Sequence, residues 1–202
     1  MDVAGISVDL ARLREAGRII LVEGASDKAA LEVLAQQRGQ VLGRGGACVV
    51  AMGGATSIGQ FLALLGPHGL GLRLAGLCDA AQEAHVRAAL ARGGLGAGRN
   101  RTEMEALGFY VCTADLEDEL IRAAGTAAVE HLIQAQGELR SLRIFQQQPA
   151  QRRRSASQQL HRFMGTRSGR KSRYARLMAA ALEPGRVPRP LDRVLAHVSS
   201  GW

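Results

Sequence analysis

The feature that most constrains the fold of this chain is a repeated pairing of a short, continuously apolar run with a segment of helical periodicity. The predicted strands that contain these runs lie at residues 19–23, 48–52, 72–78 and 108–112. The helical segments lie at residues 26–38, 56–65 and 82–92, and a further one begins near Asp115. Continuous apolar strands separated by helices predict a parallel sheet that is covered on both faces. We therefore predict an α/β fold with a small parallel sheet of about four strands flanked by helices, and Ser26 as the N-cap of the first of these helices.

The charge and the periodicity both change along the chain. After residue 124 the pattern is helical, with no strand-like run. Residues 138–193 carry 14 basic and 3 acidic residues, a net charge of +11, whereas the rest of the chain has a net charge of −3. We predict an α/β domain at residues 1–124 and a basic helical extension at residues 125–202 that packs on it. A basic segment beside an acidic one favours a polyanionic partner.

Several classes of protein are disfavoured by the composition. No run of about 18 apolar residues is present, so no membrane-spanning helix is expected, and the N-terminal segment lacks the pattern of a signal peptide. Cys48, Cys78 and Cys112 each lie in or beside an apolar run, without zinc-ligand spacing, which predicts buried, reduced thiols. We expect a cytoplasmic protein. The five histidines are scattered and receive no role.

Carboxylates follow three of the predicted strands. Glu23 ends the first strand, Asp79 follows the third, and Asp115 and Glu117 follow the fourth. Asp27 lies in the first turn of the predicted helix at residues 26–38, which directly follows the first strand. The carboxyl ends of parallel strands meet at one edge of the sheet, and clustered carboxylates repel one another unless a cation binds them. Oxygen ligands without Cys or His favour Mg²⁺ or Mn²⁺. Acids at helix starts also complement the helix dipole, so a local role for Asp27 and Asp115 stays open.

These segments carry a resemblance to a known family. "LVEGASDKAAL", "AMGGATSIGQFLALL" and "LRLAGLCDA" resemble the first motif, the following strand and the acidic second motif of the Toprim domain. "CTADLEDELIRAAG" and "GTRSGRKSRYARLMAAALEPGRVPRPL" are similar to the acidic helix start and the helical tail of the OLD (overcoming lysogenization defect) nucleases. The resemblance extends over residues 19–191 and implies the Toprim fold, a small parallel sheet between helices.

The resemblance implies chemistry on phosphodiesters with one or two Mg²⁺ or Mn²⁺ ions as cofactors. By position, Glu23 and Lys171 are the expected catalytic residues, and Lys171 is expected to stabilise the phosphate. The expected metal ligands are Glu23, Asp27, Asp79, Glu117, Glu83 and Asp115.

The chain departs from the family pattern at two points. The second motif usually has the form Asp-x-Asp, but Ala81 occupies the position of the second acid, and Glu83 is the residue expected to compensate. Full-length OLD nucleases also carry an ATPase domain ahead of the Toprim domain. We expect none in a chain of 202 residues, so a separate ATPase protein is a possible partner.

The basic extension is expected to hold the DNA backbone with little sequence preference. The predicted contacts are Arg152, Arg153, Arg154, Arg162, Arg167, Arg170 and Arg173. A solvated basic helical face is the simpler alternative.

The residues leave three functions open. The first is a metal-dependent endonuclease that acts on DNA. The second is a catalytically weakened Toprim-like subunit that binds nucleic acid and works with a separate ATPase. The third, ranked last because no zinc module for template binding is present, is a primase-like nucleotidyl transferase. The sequence leaves the oligomeric state open.

Overall fold

The structure is a computed structural model that describes residues 2–3, 6–7, 9–96 and 100–199. The strands are β1 (Asp2–Val3), β2 (Ile6–Ser7), β3 (Arg18–Val22), β4 (Ala47–Ala51), β5 (Arg73–Cys78) and β6 (Phe109–Val111). The helices of the first part of the chain are α1 (Leu10–Ala16), α2 (Ala25–Gln37), α3 (Ile58–Leu65), α4 (Glu83–Arg92), α5 (Arg101–Ala106) and α6 (Leu116–Ala124). Those of the second part are α7 (Thr126–Ala135), α8 (Leu139–Gln147), α9 (Ala156–Met164), α10 (Arg170–Ala181) and α11 (Arg189–Ser199).

Four of the strands form a parallel sheet in the order β4-β3-β5-β6. Ile20 of β3 lies between Val49 of β4 and Ala75 of β5, and Leu77 of β5 pairs with Tyr110 of β6. Strands β1 and β2 form a separate antiparallel pair. The predicted fold class is therefore confirmed, and each predicted strand lies within two residues of the observed one.

Alternate residues of the central strand enter two different hydrophobic cores. Ile20 and Val22 of β3 point to one core, whereas Ile19 and Leu21 point to the other. All four side chains are at most 1% exposed. A strand with both faces buried must be apolar at every position, which is why residues 19–22 show no polar alternation.

The two cores are covered by different helices. Helices α1, α3, α4 and α5 contribute to the core around Ile19, and α2, α6, α10 and α11 contribute to the core around Ile20. Helix α10 packs along α2, and its Tyr174 and Met178 are fully buried in the same core as β3. Side chains from both sides of residue 124 thus share one core. The division at residues 124/125 stays a prediction.

The structure differs from the sequence-based expectations at three local points. Ser26 is not the N-cap of α2; the cap is Gly24, whose backbone N–H donates to the carboxylate of Asp27. Helix α5 and the β1–β2 pair were not predicted. The sequence also predicts a short amphipathic helix over about residues 8–16; the observed helix begins at Leu10, and Val8 lies outside the described residues.

Two further expectations can be compared with the structure. The three cysteines are buried and free, as predicted. Within the described ranges, no helix combines the length and the apolar character needed to cross a membrane.

Candidate metal centre

The backbone of Glu23 is held by β3, which precedes it, and by the turn that follows the neighbouring strand β4. Glu23 directly follows β3, and its carbonyl oxygen accepts a hydrogen bond from the N–H of Gly54 at 3.1 Å. Gly53 and Gly54, which follow β4, have φ angles of 73° and 139°. Residues with a Cβ rarely adopt such angles, so this glycine pair makes possible the turn that holds the Glu23 backbone.

Asp79 is positioned at the end of the neighbouring strand by the segment that follows β6. The N–H of Cys112 donates to the carbonyl of Cys78 at 2.9 Å, and the N–H of Ala80 donates to the carbonyl of Ala114 at 2.9 Å. These two hydrogen bonds bring the residues after β5 against the residues before α6. Asp79 and Asp115 are therefore delivered to the same edge of the sheet.

Asp27 lies in the first turn of α2 and is 8% exposed. Its Oδ2 accepts the N–H of Gly24 at 2.9 Å. Burial raises the pKa of Asp27 to about 6; the Gly24 hydrogen bond opposes this rise, and the charges of Glu117 and Glu23 add to it. The ionised form of Asp27 is therefore disfavoured, and a bound cation in place of the proton would stabilise it.

Asp79 shows the same effect more strongly. Burial raises the pKa of Asp79 to about 7, and repulsion from four other acids contributes to the rise. Those acids are Asp27, Glu23, Asp115 and Glu117. The structure thus brings five of the six predicted metal ligands within electrostatic reach of one another.

Helix α6 supplies Asp115 and Glu117 from its N-terminus. Asp115 is the N-cap, and its Oδ1 accepts the N–H of Asp118 at 2.9 Å. Glu117 is 3% exposed, and its Oε2 accepts a hydrogen bond from Lys171 Nζ at 3.2 Å. Desolvation opposes the charge of Lys171, but Glu117 outweighs it and raises the pKa of Lys171 above its usual value. The ammonium group is therefore held charged at the edge of the acidic cluster.

Two carboxylate oxygens of this cluster are buried without a hydrogen-bond partner. They are Oε2 of Glu23 and Oε1 of Glu117. An unsatisfied buried oxygen is costly, and a bound cation would satisfy such an oxygen. Together with the raised pKa values of Asp27 and Asp79, these oxygens fit a divalent cation with oxygen ligands.

His161 belongs to the same place, although no sequence pattern assigned it a role. This residue lies on α9, and its Nε2 is 2.7 Å from Oδ2 of Asp115. The hydrogen bond to Asp115 raises the pKa of His161. In turn, although burial favours the neutral acid, the hydrogen bonds from His161 and Asp118 hold the pKa of Asp115 below its usual value. Ligand atoms of Asp115, Glu117 and His161 all lie within 4.8 Å of one another, close enough to hold one metal ion.

Glu83 is the predicted ligand that the structure directs elsewhere. Its Oε2 accepts a hydrogen bond from Nε of Arg101 at 2.8 Å. The role of Glu83 in place of the acid missing at Ala81 therefore stays a prediction, and in this structure one oxygen of Glu83 is occupied by Arg101.

The predicted DNA-contacting arginines fall into two groups. Arg152, Arg153 and Arg154 lie exposed in the turn between α8 and α9, and Arg162 is exposed on α9. Arg154 and Arg162 border a groove of about 310 Å³ that also contains Asp115 and His161. This first group lies next to the acidic cluster.

The second group is bound to a single acid, Glu138. Arg170 is 3% exposed and donates to Glu138 Oε1 at 3.0 Å and to a backbone carbonyl of α9. Arg173 and Tyr174 each donate to Glu138 Oε2 at 2.7 Å, and Arg167 lies 3.9 Å from Oε1. The burial of Arg170 removes it from the surface that a DNA backbone would contact.

Comparisons with known proteins concern the fold of the chain and its first motifs. The sequence profile of the family described as "Overcoming lysogenization defect protein-like, TOPRIM domain" matches residues 16–80. Among curated protein sequences, no match was found. Among solved structures, the C-terminal region of the OLD protein of Xanthomonas campestris pv. campestris is similar, with 23% identity and a TM-score of 0.67 over 91% of this chain and 94% of that chain.

A second solved structure gives the same result. The C-terminal region of the Burkholderia pseudomallei OLD protein is 19% identical, with a TM-score of 0.66 over 91% of this chain and 97% of that chain. At this level of identity the likeness shows a shared fold. The resemblance inferred from the motifs is therefore confirmed: residues 16–80 match an OLD-like Toprim domain, and the chain has the fold of the C-terminal regions of OLD proteins.

Proposed function

We propose that this protein is a divalent-metal-dependent endonuclease that hydrolyses phosphodiester bonds in DNA. The observation that carries the proposal is the convergence of carboxylates from three strand ends, with two buried oxygens left without partners. The proposed metal ligands are Glu23, Asp27, Asp79, Asp115 and Glu117. One or two Mg²⁺ or Mn²⁺ ions, when bound, would polarise the scissile phosphate and favour deprotonation of the attacking water.

The protein's own side chains contribute charge and position. Lys171, which lies 3.2 Å from Glu117, is the cation proposed to stabilise the negative charge that develops on the non-bridging phosphate oxygens. Its charged state is favoured by the surrounding acids. Glu23 lies at the start of the strand-to-helix turn between β3 and α2, and Asp27 lies at its end. This turn is held by two hydrogen bonds, from the N–H of Gly24 to the carboxylate of Asp27 and from the N–H of Gly54 to the carbonyl of Glu23.

The DNA is proposed to approach along the groove beside α9. Arg154 and Arg162 border this groove, and Arg152 and Arg153 extend the positive surface along the adjoining turn. Contacts from these side chains to phosphates hold the backbone without reading its sequence. We further propose that the protein acts in the cytoplasm, as the sequence predicts.

Nicking of supercoiled plasmid tests the proposal. The wild-type protein should convert it to open circles with Mg²⁺ or Mn²⁺ and not with EDTA, and Glu23→Gln should abolish this conversion. Glu32→Gln is the matched control, because Glu32 lies on the outer side of α2 in an exposed pair with Lys28. Nicking by Glu23→Gln at the wild-type rate would contradict the proposed site.

A second candidate function is favoured by the second motif. Ala81 provides no carboxylate, and Glu83 is engaged by Arg101. A site with one acid fewer favours a weakened Toprim-like subunit that binds nucleic acid and works with a separate ATPase.

Binding and cleavage separate the two candidates. The weakened subunit should bind duplex DNA, with an affinity that falls steeply as salt increases, but should leave the plasmid intact with either metal. Ala81→Asp should then restore nicking, because it returns a carboxylate to the end of β5. A wild-type protein that already nicks the plasmid rejects this second candidate.

A further inference from the structure

The tail helix α9 brings a nitrogen ligand to an otherwise oxygen-only cluster. His161 Nε2 lies 2.7 Å from Asp115 Oδ2, and the two residues are 46 positions apart in the chain. Glu117 completes a group whose ligand atoms are all within 4.8 Å of one another. The remaining acids of the centre, Glu23, Asp27 and Asp79, offer oxygen alone. The centre therefore has two chemically different halves.

We propose that His161, Asp115 and Glu117 form a mixed nitrogen–oxygen site that selects Mn²⁺ over Mg²⁺. This inference rests on the proposed function, because it assigns the ligands of one of its metal ions. Imidazole binds first-row transition ions, among which Mn²⁺ has the lowest affinity and also accepts oxygen ligands, whereas Mg²⁺ is held by oxygen ligands in a strict octahedral geometry. A histidine in the ligand set therefore predicts discrimination between two ions of the same charge.

An independent observation supports a ligand at this position. Glu117 is 3% exposed, and only its Oε2 has a partner, Lys171. Its Oε1 is buried with no hydrogen-bond partner. A cation beside Asp115 and His161 supplies the missing interaction. By contrast, the neighbouring acid Glu119 has both oxygens satisfied, by the N–H of Thr113 and by Arg122, so it is not available as a ligand.

Binding of Mn²⁺ to the full chain without DNA tests the proposal. Electron spin echo envelope modulation of the Mn²⁺ complex should show coupling of the electron spin to a histidine ¹⁴N nucleus. In protein with ¹⁵N-labelled histidine, the ¹⁴N coupling should be replaced by a ¹⁵N coupling. His161→Gln should remove the coupling and lower Mn²⁺ affinity at this site by about 10-fold or more, while Mg²⁺ affinity changes by less than about 3-fold. His131→Gln, an exposed histidine on α7, is the matched control and should change neither quantity.

Other outcomes overturn the proposal. Mn²⁺ binding without nitrogen coupling in the wild-type protein would leave His161 as the hydrogen-bond partner of Asp115 only. This result is measured on the wild-type protein, so it does not depend on whether a variant folds. An equal loss of Mg²⁺ and Mn²⁺ affinity in His161→Gln would likewise indicate a positioning role. In both cases the endonuclease proposal stands if plasmid nicking still depends on Glu23; loss of that dependence is the separate failure of the proposed function.

Discussion

Two carboxylate environments in this molecule differ in how fully their charge is satisfied. Glu138 accepts hydrogen bonds from Arg170, Arg173 and Tyr174. Although burial opposes its charge, the hydrogen bonds from Tyr174 and Arg170 hold the pKa of Glu138 below its usual value. At the sheet edge, burial and mutual repulsion raise the pKa of Asp79 to about 7, and two carboxylate oxygens have no partner.

The difference separates an acid that stabilises the fold from the acids proposed to bind metal. Glu138 ties α10 to the segment before α8, and its removal would leave the guanidinium of Arg170 buried without its carboxylate. The acids at the sheet edge are held close together against their own repulsion, an arrangement that a cation stabilises. The sheet edge therefore lowers the stability of the metal-free protein, whereas the Glu138 network raises it.

The largest expected effect concerns activity at the sheet edge. Asp79→Asn should lower the nicking rate by about 10³-fold, because it removes a proposed metal ligand while keeping the side-chain volume. The measurement is initial nicking at saturating Mg²⁺ or Mn²⁺. A rate within tenfold of the wild type would remove Asp79 from the proposed site and weaken the contrast with Glu138.

The next largest effect concerns stability at the other environment. Glu138→Gln should lower the free energy of unfolding by about 3 kcal/mol, because breaking a buried ion pair leaves Arg170 without its charged partner. Urea denaturation followed by circular dichroism measures this. Glu105→Gln is the control: Glu105 pairs with the exposed Arg189, and its loss should cost less than about 1 kcal/mol. Equal losses in the two variants would show that packing alone holds α10.

Lys171 follows Arg170, the buried partner of Glu138, but its own contact is with Glu117 at the sheet edge. Lys171→Met should lower the nicking rate by about 30-fold, because it removes a positive charge at the reacting phosphate. Mg²⁺ affinity should not weaken, since Lys171 binds Oε2 of Glu117 whereas the proposed ion binds Oε1, and loss of a neighbouring positive charge removes repulsion on the ion. Lys28→Met, which removes the chain's other lysine, is the matched control. Weaker Mg²⁺ binding in Lys171→Met would instead assign the lysine to the construction of the metal site.

The smallest effect is a pH dependence of stability without metal. The pKa of Asp79 is raised from 3.8 to about 7 on folding, so the folded state keeps a proton that the unfolded state releases. Stability from this group is complete below about pH 4 and is lost as the pH rises towards 7. In EDTA, the Tm of Asp79→Asn should fall less steeply between pH 5 and pH 8, by about 4 °C in total once the partial exposure of Asp79 is allowed for.

The control for this measurement is Glu130→Gln, which alters the surface pair between Glu130 on α7 and Arg143 on α8. Its Tm should follow the wild-type pH profile. If Asp79→Asn also follows the wild-type profile, Asp79 is not the protonated acid, and the repulsion inferred at the sheet edge is relieved at another residue.

The strands and their acids could be predicted from the sequence because both depend on local patterns. The strands of the parallel sheet contain apolar runs that contribute to the cores on both faces, so residues 19–22 and 48–51 could be recognised from the sequence. In a parallel sheet the carboxyl ends of the strands share one edge, so the strand pattern alone assigns Glu23 and Asp79 to one place. The Ser26 cap was wrong because Gly24 and Asp27 together satisfy the first turn of α2.

The partners of the polar side chains could not be predicted in the same way. His161 meets Asp115 across 46 residues and Lys171 meets Glu117 across 54, and both contacts follow from the way α9 and α10 pack on α6 and α2. Likewise, nothing in the periodicity distinguishes the buried Arg170 from the exposed Arg162, or shows that Arg101 engages Glu83.

The sequence by itself determined the α/β architecture and the edge of the sheet at which the acids collect, since apolar runs and strand ends are properties of contiguous residues. Only the tertiary structure decided which carboxylates are neutralised by the protein and which are left for a cation. The difference depends on distances between side chains from separate helices. An ionised carboxylate within about 3 Å of a guanidinium is stabilised, whereas one beside another carboxylate is destabilised.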